Sequence, residues 1–235
     1  MTQQETCNHD QGNKENAHKS CVSIVPIFNH LEEAEMDSIV KTTQHRTLQK
    51  GDILYRAGDH SDSLYIVHIG KLKVYRLAEN GKEQLIRLLN PGEFTGELAL
   101  FNESLHEEFA EALESTEICS IQRSHLQEFL QQHPDISWKI LNEFSKRLET
   151  AEHQMTSFAT ESAETRIALY LAEQAEKSRS MVIELSMPRK DLASFLGTTP
   201  ETISRKLAKF EDEGWIRQEN QRKIEILDLD SLQFS

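Results

Sequence analysis

No stretch of this 235-residue sequence approaches the roughly 20 consecutive apolar residues that a membrane-crossing helix needs. Residues Met1 to Ser20 have no hydrophobic core of the kind an export signal carries, so the cytoplasm is the expected compartment. Cysteine is scarce. Cys7, Cys21 and Cys119 are an odd number, which argues against a structural disulfide framework and leaves redox or metal chemistry open. There is no His-x-His metal pair, no Ser/His/Asp spacing and no phosphate-binding loop, so no enzyme is expected. His45, His60, His68, His106, His125 and His133 are scattered and read as solvated or satisfied side chains. Basic residues are short as well: 26 Lys and Arg stand against 39 Asp and Glu, a net charge of −13. That balance speaks against a nucleic-acid partner.

The objection weakens once the charge is located. Ser186 to Ser235 carries eight Lys and Arg against nine Asp and Glu, leaving −12 of the −13 on the preceding residues. From Thr199 to Phe210 the balance is three basic residues to one acidic. An acidic body lowers sequence-blind attraction to phosphates and leaves more of the discrimination to base contacts.

The stretch Met187 to Phe210 reads as two short helices joined by a tight turn. Leu192, Phe195 and Leu196 supply the inner face of the first helix. Gly197 is placed just past its end, where a residue tolerating φ > 0 is needed. Thr199 caps the second helix and Pro200 fits its first turn. Ile203, Leu207 and Phe210, at i, i+4 and i+7, face inward, while Glu201, Ser204, Arg205 and Lys209 form the opposite face. Arg suits guanine acceptors and Glu the cytosine donor of a major groove, so this is the pattern of a recognition helix. Thr202 and Arg189 complete the candidate DNA contacts.

The rest of the chain divides by period. Residues 1–24 are a polar arm, expected to be flexible. A short helix is expected from Val25 to Val40. Between 25 and 133, runs such as Ser63–Gly70, Lys71–Tyr75, Gln84–Leu89, Glu108–Leu113 and Glu117–Ile121 alternate with a period of two. Asn80-Gly81 marks a hairpin, and many short strands imply an antiparallel sandwich or barrel. After Ser124–Gln132, a long helix is expected over 134–162. On it Leu141, Phe144, Leu148, Ala151, Met155 and Phe158 step as a heptad seam, read as a dimer interface. Residues 163–235 hold a further amphipathic helix, the two-helix unit and a hairpin after Gly214 whose tip places Gln221, Arg222 and Lys223 near phosphates. The fold class is therefore α+β: a β-roll, a long dimerisation helix and a winged helix-turn-helix.

This order, with Gly92-Glu-Phe-Thr-Gly-Glu-Leu-Ala-Leu-Phe101 and Pro200-Glu-Thr-Ile-Ser-Arg205, resembles the CRP/FNR family of bacterial transcription regulators from Val25 onward. The resemblance implies a cyclic-nucleotide-binding-like jelly roll, a homodimer, double-stranded DNA as partner and contact with RNA polymerase. Ser204 resembles the FNR type, which implies a palindrome with TTGAT-like half-sites contacted by Glu201, Ser204 and Arg205. Cyclic-AMP-binding members carry an Arg-Ser pair in the region matching Ser104–Phe109. Here there is no arginine, and Glu107 and Glu108 would repel a phosphate. Another small-molecule effector in the β-roll remains an alternative signal.

Cys119 resembles the β-roll cysteine ligand of FNR, and Cys21 its last N-terminal ligand, but only two cysteines precede the β-roll. A four-cysteine cluster cannot form from one chain. A thiol–disulfide switch of Cys119 with Cys21 or Cys7 would resemble the FNR-like proteins (FLP) of Gram-positive bacteria. An iron–sulfur cluster completed by His9, His18 or Asp10 is the alternative cofactor, and inert cysteines are the third reading.

Overall fold

The computed structural model describes residues 23–29, 31–101 and 104–234. They form two units: residues up to Arg76 with Ile86–Ser145, and Leu77–Leu85 with Lys146–Ser235. Residues 1–22 of the sequence-read arm, with Cys7, His9, Asp10, His18 and Cys21, lie outside the described residues.

The first unit is a double-layered antiparallel roll. One sheet runs β1 (Thr43–Leu48), β10 (Thr116–Gln122), β4 (Ser63–Ile69), β7 (Phe94–Thr95). The other runs β2 (Ile53–Tyr55), β9 (Phe109–Ala112), β5 (Leu72–Leu77), β6 (Glu83–Leu89). The short β3 (His60–Ser61) and β8 (Ser104–Leu105) pair beside them. Between the sheets lie Leu48, Leu54, Val67, Leu72, Val74, Leu89, Ala110 and Ile118. The first sheet is buried on its other face too, where Leu64, Ile66, Cys119 and Ile121 pack on helices. That second buried face is why β4 reads as a nearly continuous apolar run.

The helical layer over it is α1 (Glu33–Val40), α2 (Arg123–Gln132) and the start of α3 (Pro134–Thr160). The expected helix from Val25 is shorter than its sequence suggests. Val25–Asn29 is a run of turns, with Phe28 and Asn29 amides bonded to the Val25 carbonyl, and it inserts Val25, Ile27 and Phe28 into the core. Glu32 and Glu35 then close a capping box that starts the helix at Glu33.

In the second unit, α3 continues to Thr160 and α4 (Ala163–Ser178) starts on the Ser162 cap, whose hydroxyl accepts the Thr165 amide at 3.1 Å. Next come β11 (Val182–Glu184), α5 (Arg189–Phe195), α6 (Pro200–Asp212), β12 (Ile216–Gln218), β13 (Lys223–Ile226) and α7 (Leu229–Gln233). The small sheet has the order β11-β13-β12. Ile167, Leu171, Leu192, Ile203, Leu207, Phe210, Ile224 and Leu232 are buried. The closing helix α7 was not read from the sequence, although Asp228, which caps it by accepting the Ser231 amide, is an ordinary start signal. No helix among the described residues is long and apolar enough to cross a membrane.

Candidate nucleic-acid interface and sensor residues

The helix-turn-helix is assembled as its residue types require. Gly197 has φ +62°, and a side chain there would press on the Phe158 ring, 3.3 Å from where a Cβ would sit. Thr199 accepts the Thr202 amide at 3.3 Å, and Pro200 occupies the first turn, where its missing donor costs nothing. Such a cap is worth about 1 kcal/mol. Ile203, Leu207 and Phe210 have no exposed surface. Burying three such side chains, at roughly 2 kcal/mol each, fixes the rotation of α6 about its axis. The rotation turns Glu201, Ser204, Arg205 and Lys209 outward, all exposed. Among the described residues, Arg205 has no ion-pair or hydrogen-bond partner, so its planar guanidinium is available for a base edge.

Two of the sequence-read contacts are placed differently from Arg205. Lys209 reaches Glu164 at 2.5 Å and Glu213 at 3.6 Å. Arg189 is a strut to the wing: its Nε donates to the Gln221 carbonyl at 3.0 Å and its Nη2 to Gln218 Oε1 at 2.7 Å. Gln218 in turn is held by Glu211 at the end of α6, which accepts from its amide at 2.7 Å. Arg189, Gln218 and Glu211 thereby tie α5, the wing and α6 together. At the wing tip Arg222 is exposed, while Lys223 pairs with Glu219 at 2.7 Å.

The seam on α3 is largely open. Leu141, Leu148 and Met155 are 53%, 61% and 72% exposed, and Trp138 is 74% exposed. Ala151 is exposed too. Phe144 packs on the core of its own unit and against Phe101, ring centroids 5.7 Å apart. Phe158 lies against Gly197, with Arg166 5.4 Å from its ring centre. Arg166 also donates to the Leu196 and Glu161 carbonyls, at 3.0 and 2.7 Å, closing two helix ends at once.

In the β-roll, the region around Gly96-Glu97 is filled by the chain itself. Gly96 has φ +81°, and a Cβ there would strike the Ser63 carbonyl and the Tyr65 ring. His106 stacks on Tyr55 with centroids 3.7 Å apart, and Tyr55 shares a 2.6 Å hydrogen bond with Thr95. Arg87 pairs with Glu97 at 2.8 Å. Glu107 and Glu108 are met by Arg76, at 2.7 and 3.4 Å. Burial lowers the pKa of His106 and raises that of Tyr55. Ser61 Oγ, Ser104 Oγ, Arg87 Nε and His106 Nε2 are buried without hydrogen-bond partners among the described residues.

The profile of the cyclic nucleotide-binding domain matches residues 45–133, and that of the Crp-like helix-turn-helix domain matches residues 165–234. The chain is 31% identical to the probable transcriptional regulator flp of Lacticaseibacillus casei, over 91% of its own length and 97% of that protein. The chain belongs to the CRP/FNR family of transcription regulators. It is a DNA-binding regulator and not an enzyme. Among other CRP/FNR proteins it is 32% identical to the transcriptional activator protein Anr of Pseudomonas protegens, covering 87% of this chain and 84% of that one. FixK2 from Bradyrhizobium japonicum has the same fold, with a TM-score of 0.73 and 24% identity over 82% of this chain and 96% of that one.

The CRP/FNR resemblance raised an iron–sulfur cluster, and its candidate ligands other than Cys119 lie outside the described residues. No group of three or more His, Cys, Asp or Glu among them is placed to hold a metal ion. Cys119 has no exposed surface and sits among Ile66, Phe94 and Ile121. Its cross-strand neighbours are His45 and Ile66, and the His45 ring nitrogens lie 3.6 and 3.7 Å from its sulfur.

Proposed function

We propose that the chain is a homodimeric, sequence-specific regulator that reads a palindrome of TTGAT-like half-sites and reports redox state through Cys119. The observation that carries the DNA half is the outward face of α6, with Arg205 unpartnered among the described residues. Glu201 and Ser204 stand beside it, and Thr199 and Thr202 at the helix start are placed for the backbone. The place of Cys119 beside His45, whose ring nitrogens lie 3.6 and 3.7 Å from the sulfur, supports the thiol reading. The exposed Leu141, Leu148 and Met155 fit a second copy of α3. Regulation at a promoter would run through RNA polymerase.

The test is DNA binding by fluorescence anisotropy, with reduced and oxidised protein, on a TTGAT palindrome and on random duplex. Arg205→Ala should weaken the palindrome by about 1–3 kcal/mol and leave the random duplex nearly unchanged. Equal losses on both would remove Arg205 from base reading. Identical affinity before and after oxidation would remove the redox signal.

A second reading is favoured by the buried, unpartnered Ser61 Oγ, Ser104 Oγ and His106 Nε2. They suit a small polar effector other than cyclic AMP. Calorimetry with cyclic AMP should show no heat of binding.

A further inference from the structure

The recognition helix carries three cations, Arg205, Lys206 and Lys209, and two of them are already engaged. Glu164, in the first turn of α4, accepts from Lys206 Nζ and from Lys209 Nζ, the latter at 2.5 Å. The three side chains are 22%, 23% and 47% exposed, so the arrangement borders solvent without dissolving into it. The hydrogen bonds from Lys206 and then Lys209 hold the Glu164 carboxyl below its ordinary range. The hydrogen bond that Lys209 donates to Glu164 in turn raises the pKa of Lys209. Glu213, one turn further along α6, stands 3.6 Å from Lys209 and adds to the same field.

One carboxylate between two ammonium groups does the chemical work of a phosphate. Lys206 and Lys209 lie along one flank of α6, a turn apart, next to the face that carries Arg205. A cation so placed adds affinity for any duplex, whatever its sequence, because phosphates are the same at every step. Packing between α4 and α6 does not need the ion pairs, since Ile167, Leu171, Ile203 and Leu207 are fully buried in the unit they share.

We propose that Glu164 is a specificity-determining residue of the DNA-binding unit: it occupies Lys206 and Lys209 in place of backbone phosphates and so holds down sequence-blind binding. Discrimination then rests on Arg205, Glu201 and Ser204, whose contacts depend on the base. The proposal rests on the DNA-binding role of the family and is independent of the half-site sequence and of Cys119.

The experiment uses the full chain, a random-sequence duplex and a duplex selected by the wild-type protein from a random library, each titrated over a salt series. Glu164→Gln should tighten random-duplex binding by roughly tenfold at low salt and steepen the log–log salt slope by about 1 to 2. The ratio of selected to random affinity should fall by a similar factor. Lys206→Gln with Lys209→Gln should leave the slope near the wild-type value, and adding Glu164→Gln to that pair should produce no gain. A Glu164→Gln protein with unchanged melting temperature and unchanged slope would overturn the proposal. So would a slope lowered by about 2 in the lysine double variant, because the lysines would then already be on the DNA. If Glu164→Gln does not fold at the assay temperature, the lysine variants alone decide between these outcomes.

Discussion

His106 shows how one buried side chain couples packing to pH. Its ring lies flat on Tyr55, its Nε2 finds no partner, and burial disfavours its charged form. The folded state therefore holds this imidazole neutral at a pH where the unfolded chain already takes up a proton. The pKa is lowered on folding, so the stability that His106 contributes is complete above about 6.5, the ordinary histidine value, and is lost as pH falls below it. Urea midpoints at pH 7.5 and 5.5 should differ more in the wild type than in His106→Phe, which keeps a stacked ring without a titratable nitrogen. Equal differences would place the acid sensitivity elsewhere.

At the level of elements, α3 is the segment whose sequence pattern and surroundings differ most. Its heptad seam has an apolar repeat but little of its own chain to bury it. Leu148→Glu with Met155→Glu places charges on residues that are 61% and 72% exposed, so the fold of one copy should be little affected. Sedimentation should show the wild type as a dimer and this variant as a monomer, with binding to a palindrome lost together with the second half-site. A variant that stays dimeric would move the interface off α3. The helix-turn-helix was legible residue by residue, because Gly197, Thr199 and Pro200 each answer a local steric or hydrogen-bonding need. The start of α1 was not, since Val25, Ile27 and Phe28 are apolar for the sake of the core rather than of a helix. Arg189 and Lys209 were legible as cations but not as occupied ones. Their partners Gln218, Gln221 and Glu164 are remote in sequence, and no local pattern joins them.

At the level of the whole molecule, the charge of −13 is compatible with DNA binding because most of it lies outside the recognition unit. It also means that phosphate affinity has to be supplied locally, by a few cations whose availability the fold controls. The β-roll meets the opposite problem, since the sulfur proposed as its reporter is buried. Cys119 has no exposed surface and lies beneath α1 and α2. If a reagent meets that sulfur only when the helical layer lifts from β10, the proposed response runs on an internal clock. In reduced protein, labelling of Cys119 by iodoacetamide, read by mass spectrometry, should stop accelerating as reagent is raised and level off at the opening rate. Strict proportionality over the whole range would mean an open path to the sulfur. A signal gated in this way filters by duration: a brief pulse of oxidant passes unrecorded, and a sustained one of the same height is written into the protein.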